Sequence, residues 1–287
     1  MELRHRVVAI ALLVTFGAPV PGKADKIDHY ITAQMERLHI PASSLGIVRD
    51  GRITKAQGYR FANLELKSPA TKDTVYEFGS ISKQFTATAI MTLVEQGKVR
   101  LDDTITKYFP EVPQAWRGIT IRDLLTHTSG IQNHVAVPHW LDVFRTNLAF
   151  EMTPSRGELL KMFFKPPRGV SAGETWVYDN TGYYLLGNAI EKFSGESYWQ
   201  FLDERIFKPL GMNATRSTDP QPIVRNRASG YEWNNDHFEN RPVLLPAIAF
   251  RAGSLLCTVE DMAKWDAALY TEKLLINQAS IRCGRPT

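Results

Sequence analysis

The sequence predicts a mixed α/β (α+β) fold, and three observations carry that expectation. Two strand-like runs, Ser44–Arg49 and Arg52–Tyr59, flank an Asp50-Gly51 pair early in the chain. Apolar residues then recur at helical spacing in several later segments. Two of those segments end at a glycine, Gly97 and Gly195. A hairpin followed by a helical body puts the start of the sheet near the N-terminus.

Ile27, Ile31, Met35 and Leu38 repeat at helical spacing, and Pro41 ends that helix. Asp-Gly between two extended runs specifies a tight hairpin, because both residues tolerate positive φ. From Ser80 to about Gln96, Phe85, Ala89 and Leu93 share one face, with Gly97 as the C-terminal cap. The chain onward to about Gly211 reads as mainly helical with long loops. It includes a helix from Thr181 to Phe193 that turns Leu186, Ala189, Ile190 and Phe193 inward. Val259 to Leu269 forms a further helix, and Asn277-Gln278-Ala279-Ser280 opens another.

The chain has 287 residues, of which 44% are hydrophobic and 22% charged, enough apolar material for a sizeable core. Its net charge of +4 is scattered among acids, with no basic run, which argues against nucleic-acid partners. Arg4 and Arg6, an apolar run from Val7 to Val20, and small residues at Gly22 and Ala24 make residues 1–24 a secretory signal peptide. Residues 25–287 then form one domain, exported to the periplasm or secreted. The apolar run is too short to span a bilayer, and no later segment is longer, so no membrane span is expected once the signal is removed. Cys257 and Cys283 cannot make a disulfide framework, and no Cys/His pair has zinc-site spacing. Both cysteines read as bystanders rather than as part of the chemistry.

The stretch Phe78-Gly79-Ser80-Ile81-Ser82-Lys83 raises the question of chemistry. At about 100° per residue of an α-helix, Ser80 and Lys83 lie about 60° apart, and Ser82 points away. Ser80 alone can share a pocket with Lys83. The alternative is that Ser80 caps the helix. That leaves unexplained a cation in the first turn, where the helix dipole opposes it. Burial there would depress the lysine pKa and let a neutral amine take the serine proton. Downstream, Tyr178-Asp179-Asn180 precedes the second helix. A tyrosine near a cation can act as a base, and an amide can hold a substrate carbonyl. The alternative there is that Asn180 caps the helix and Tyr178 packs.

These segments together resemble the serine β-lactamase-like superfamily: class C β-lactamases, D,D-peptidases and related esterases. The resemblance runs through Tyr76–Ala87, Leu101-Asp102-Asp103, Ile121–Ile131, Tyr178–Gly187, Pro209–Met212 and Asp261–Trp265. It implies an antiparallel sheet flanked by helices plus a helical subdomain, with Ser80 as the acylated nucleophile and Lys83 as its proton partner. It further implies Tyr178 as base or shuttle, Asn180 as a ligand for the substrate amide, and His127 as part of a structural loop. Asp102 and Asp103 look like loop and cap residues. The implied substrates are lactams, D-amino-acid peptides or esters, and the resemblance implies that neither a metal nor a cofactor is needed.

Gly169-Val170-Ser171-Ala172-Gly173 also fits the nucleophile-elbow pattern, but Pro166-Pro167 stands where its strand should be. A glycine-rich loop leading to Tyr178 is the better reading. The superfamily's third motif, Lys-Thr-Gly or His-x-Gly on a strand beside the nucleophile, does not follow Asp261. Arg251-Ala252-Gly253 matches the segment before the Asp261 helix instead. The domain is therefore expected to be incomplete at the C-terminus. The Ile47–Tyr59 hairpin would then keep an open edge and an uncovered apolar face, and one oxyanion-hole donor would be missing, a loss that costs about 10²–10³ in rate. The rival to a working hydrolase is a degenerate relative that binds peptide or a partner without turnover.

Overall fold

A computed structural model of the chain describes residues 25–133, 164, 171–219, 221–241 and 252–276. The expected signal segment, the helix expected at Asn277, Cys283, Arg251 and the Gly169-Val170 pair lie outside the described residues.

The chain divides into two compact units at Ile40/Pro41. The first holds α1 (Lys26–Arg37). Asp25 caps it by accepting from the N–H groups of Ile27 and Asp28, and the Asp28 carboxylate returns a bond to the Asp25 N–H. Such a reciprocal box satisfies donors that a helix start leaves open.

The second unit opens with the expected hairpin, β1 (Ala42–Arg49) and β2 (Arg52–Asn63). Asp50 and Gly51 take φ of +51° and +71°, the turn geometry that the pair predicts. β2 runs on to Asn63 because it pairs with a second neighbour, β3 (Ser68–Pro69). Gly58 permits that close approach, since a Cβ there would sit 2.2 Å from the Ala70 carbonyl oxygen. Three short strands build a second antiparallel sheet in the order β4 (Tyr76–Glu77), β8 (Leu255–Cys257), β5 (Arg216–Ser217). β6 (Tyr231–Asn234) and β7 (His237–Asn240) form a separate hairpin across Asn235 and Asp236, both at positive φ.

The helices surround α2 (Lys83–Glu95), whose Phe85, Ala89, Ile90 and Leu93 are fully buried. It packs on α4 (Asn180–Ser194), which buries Leu185, Leu186, Ala189 and Ile190 and ends at Gly195 with φ +76°. Phe193 is only half-buried and sets the Tyr108 ring edge-on at 4.7 Å. Around this pair lie α3 (Ile121–Leu125) and α5 (Tyr198–Leu202), which runs through a π-helical turn to Leu210. The Trp265 ring of α6 (Val259–Leu269) stacks 4.2 Å from Phe85. Each fully buried large side chain contributes about 1.5–3 kcal/mol, so the α2–α4 contact anchors the unit. α6 also crosses β1, where a Cβ on Gly46 would meet the Val259 side chain at 3.5 Å. The hairpin face expected to be bare is thus partly covered, while β1 is an edge strand among the described residues.

Candidate active site

β4 leads directly into the first site residues. Gly79 takes φ +52°, and Gly79–Ser82 form a 3-10 turn before α2 starts at Lys83. The helix expected from Ser80 thus begins three residues later, and Ser80 makes no capping bond. Residues three apart eclipse in a 3-10 turn, which aligns Ser80 with Lys83 better than a regular α-helix would. Lys83 Nζ lies 3.3 Å from Ser80 Oγ. Ser82 is buried, and its Oγ accepts the Leu255 N–H at 3.2 Å. Ser80 remains exposed. The two serines have opposite surroundings.

α4 brings in the other half. Its cap is Asp179, whose Oδ1 accepts from the Thr181 N–H at 2.7 Å and whose Oδ2 accepts from the Gly182 N–H at 2.8 Å. A Cβ on Gly182 would stand 2.9 Å from that Oδ2, so the carboxylate settles only over a glycine. The cap thus falls one residue before Asn180 and frees the amide. Asn180 Oδ1 accepts from Lys83 Nζ at 2.7 Å. On the other side of the cap, Tyr178 Oη donates to Ser80 Oγ at 2.6 Å. Ser80, Lys83, Tyr178 and Asn180, nearly a hundred residues apart in two pairs, meet here.

Lys83 is 6% exposed and makes a further bond, to the Ala252 carbonyl at 2.7 Å. Its Nζ also stands over the rings of Tyr178 (4.9 Å) and Tyr183 (5.6 Å). Burial lowers its pKa below the usual lysine value, against the opposing bond and charge of Tyr178 and the charge of Asp179. Asp179 is 1% exposed, and burial raises it to about 6 despite the N–H groups of Gly182 and Thr181 and the charge of Lys83. Both shifts have the same origin, removal of a charge from water.

Sequence reasoning missed the Ala252 carbonyl, since a backbone acceptor leaves no residue signature. It also passed over Asp179 as a cap, although an aspartate just before a helical run is a start signal. His127 sits in the expected loop, at φ +59°. Its carbonyl accepts the Val177 N–H at 2.8 Å, and its Nδ1 accepts the Asp179 N–H at 3.1 Å. Burial first, and then the Lys83 charge, hold its pKa down to about 4.

Ser171 is exposed and begins a turn, with the Gly173 N–H bonded to the Thr128 carbonyl and no helix before Asn180. That is the loop reading rather than an elbow. Asp103 accepts from Lys107, the Tyr108 hydroxyl and the Arg100 N–H, and Asp102 pairs at the surface with Arg122. For Asp103, burial works upward but those donors outweigh it, leaving the carboxyl at about 2. Cys257 is buried, its thiol pushed up to about 12. Among the described residues no group of three or more His, Cys, Asp or Glu could hold a metal ion, and no helix is long and apolar enough to cross a membrane.

The family model described as Beta-lactamase matches residues 27–282. The chain is 31% identical over 272 residues to a protein of Escherichia coli K12 named Beta-lactamase, covering 94% of this chain and 67% of that one. It is 30% identical over 211 residues to Protein flp of Staphylococcus aureus MW2, covering 72% of this chain and 41% of that protein. The chain therefore spans between about two fifths and two thirds of these relatives. Among solved structures, the D-amino acid amidase of Ochrobactrum anthropi SV3, complexed with L-phenylalanine amide, superposes with a TM-score of 0.74 at 27% identity. That match covers 88% of this chain and 71% of the amidase.

Proposed function

The chain belongs to the beta-lactamase family, and on that premise we propose that it is a serine hydrolase working by acyl transfer on amide, ester or β-lactam carbonyls. The observation that carries this is the placement of the Tyr178 hydroxyl 2.6 Å, and the Lys83 amine 3.3 Å, from the exposed Ser80 Oγ. Asn180 Oδ1 and the Ala252 carbonyl can only accept, so they use two N–H bonds of Lys83. A neutral amine, favoured by burial, then has its lone pair left for the Ser80 proton. Ser80 Oγ attacks the carbonyl as that proton leaves. Tyr178 passes a proton on to the departing amine or alcohol, and water later releases the acyl group. Asn180, once a substrate is bound, can offer its amide N–H to the substrate's carbonyl.

Substrates fall among lactams, D-amino-acid peptides or amides, and simple esters; the named relatives and the amidase support that range. The same proposal includes export, with residues 1–24 removed as a signal peptide. N-terminal sequencing of protein recovered from the periplasm or medium would show Asp25 at or near the start.

A fluorophosphonate probe on the wild type and on Ser80→Ala and Ser171→Ala variants tests the nucleophile. Labelling should vanish only in Ser80→Ala; labelling that survives it and disappears in Ser171→Ala overturns the assignment. A chromogenic ester and a chromogenic β-lactam, followed for burst and steady state, test turnover. A burst without turnover means acylation with failed release. Neither burst nor turnover favours a degenerate binder of peptide or partner.

A further inference from the structure

His127 holds the segment around Tyr178 at three points. Its carbonyl takes the N–H of Val177, the residue before, and its Nδ1 takes the N–H of Asp179, the residue after. Its ring lies over the Tyr178 ring, with centroids 4.7 Å apart and planes 36° apart. On its other contacts the imidazole stacks at 5.0 Å on Tyr183 and meets Trp176 edge-on at 6.0 Å. The neighbouring loop strengthens the hold: the Thr128 carbonyl accepts the Gly173 N–H, and the Leu125 carbonyl accepts the Tyr183 hydroxyl.

Every hydrogen bond that His127 makes to this segment goes to backbone, so it fixes where residue 178 stands, whatever its side chain. The ring contact then fixes the direction of the phenol. A φ of +59° lets the carbonyl and the side chain of one residue face the same segment, a conformation in which histidine, asparagine and aspartate are enriched.

We propose that His127 is the positioning residue of Tyr178, holding the phenol within reach of Ser80 by clamping the peptides on both sides of it. The proposal rests on the acyl-transfer reading of the site, and it adds a group that touches neither substrate nor Ser80. Since Nδ1 accepts, the ring proton is on Nε2, and the imidazole must be neutral for the clamp to close. The charged and titratable groups around it are Lys83 from α2 and Tyr178, Asp179 and Tyr183 from the start of α4. Lys83 repels a second cation, which with burial keeps the ring neutral down to about pH 4.

Asparagine and leucine make an isosteric pair for the test. Both lack the ring, but only Asn places an acceptor where Nδ1 stands, and it also tolerates positive φ. Steady-state kinetics on a chromogenic ester, corrected for folded fraction by thermal melting, should show kcat about 10–100-fold lower in His127→Leu with KM within about threefold. His127→Asn should recover tenfold or more of that loss.

Amide hydrogen exchange supplies a readout independent of activity. In the wild type the Asp179 N–H should be protected at pH 7 and lose protection as pH falls through about 4. In His127→Asn its protection should not change over that range. Equal losses of kcat in the two variants, or an unprotected Asp179 N–H in the wild type at pH 7, would overturn the proposal. If the leucine variant does not fold, the asparagine variant against the wild type decides both measurements. If wild-type Ser80 neither labels nor turns over, the acyl-transfer reading falls, and amide exchange still judges the clamp.

Discussion

The two helices that build the site begin in opposite ways. α4 starts as a stable helix should: Asp179 satisfies two N–H groups of its first turn, and Gly182 makes room for the carboxylate. α2 starts with no cap, although two serines stand at its entrance. Ser82 spends its hydroxyl on the Leu255 N–H of β8, and Ser80 directs its own toward Tyr178 and Lys83. A buried lysine then occupies the first turn, where the helix dipole disfavours it. One entrance is arranged for stability and the other leaves its first turn uncapped, as the proposed acyl transfer would require of a site where a local rule is broken.

The contrast can be broken first at three side chains. Ser80→Ala should abolish covalent labelling and lower kcat by about 10⁴-fold or more, yet leave the melting temperature unchanged, since Ser80 caps nothing. Asp179→Ala should destabilise by about 2 kcal/mol, read by urea unfolding, because it removes a cap and leaves two buried N–H groups without acceptors. Ser82→Ala should cost about 1 kcal/mol by the same measurement and keep activity, as only the Leu255 N–H loses a partner. If Ser80→Ala and Ser82→Ala instead behave alike, the division between the two entrances is wrong.

The smallest effect concerns pH. His127 is held at about 4 against an ordinary 6.5, so between these values the unfolded chain binds the extra proton and acid destabilises the fold. Asp179 is raised to about 6 from 3.8, so in nearly the same window the folded chain binds the extra proton and acid stabilises it. The two slopes oppose each other in the wild type. Melting temperatures at pH 7 and 4.5 should therefore rise toward acid in His127→Asn, relative to the wild type. They should fall more steeply in Asp179→Asn.

The same two entrances show what the sequence reveals and what it hides. The Ser80–Lys83 pair is legible because helical spacing is nearly independent of context, and a cation in a first turn is conspicuous. Asp50-Gly51 is legible because positive φ restricts residue choice, and Gly97 and Gly195 mark helix ends for the same reason. The 3-10 start of α2 is not, because the turn is bonded across the chain to β8: the Leu255 carbonyl accepts the Phe78 N–H and the Leu255 N–H donates to Ser82 Oγ. β4, β5 and β8 have two or three residues each, too few for alternation to register. The β6–β7 hairpin does leave a signal, since Asn235 and Asp236 both favour positive φ between aromatic-rich runs. The resemblance implies only a structural loop for His127, and its grip on Tyr178 emerges with the tertiary contacts.

Cys257, in β8 between the Ala252 carbonyl and α6, has a consequence for experiment. Its thiol is fully buried, touches the Thr215 hydroxyl and is pushed up to about 12, so alkylating reagents find no thiolate while the strand is closed. In a Cys283→Ser background, the rate of its modification would therefore clock how often that wall of the site opens. The molecule carries its own reporter of breathing, at a position that needs no added label.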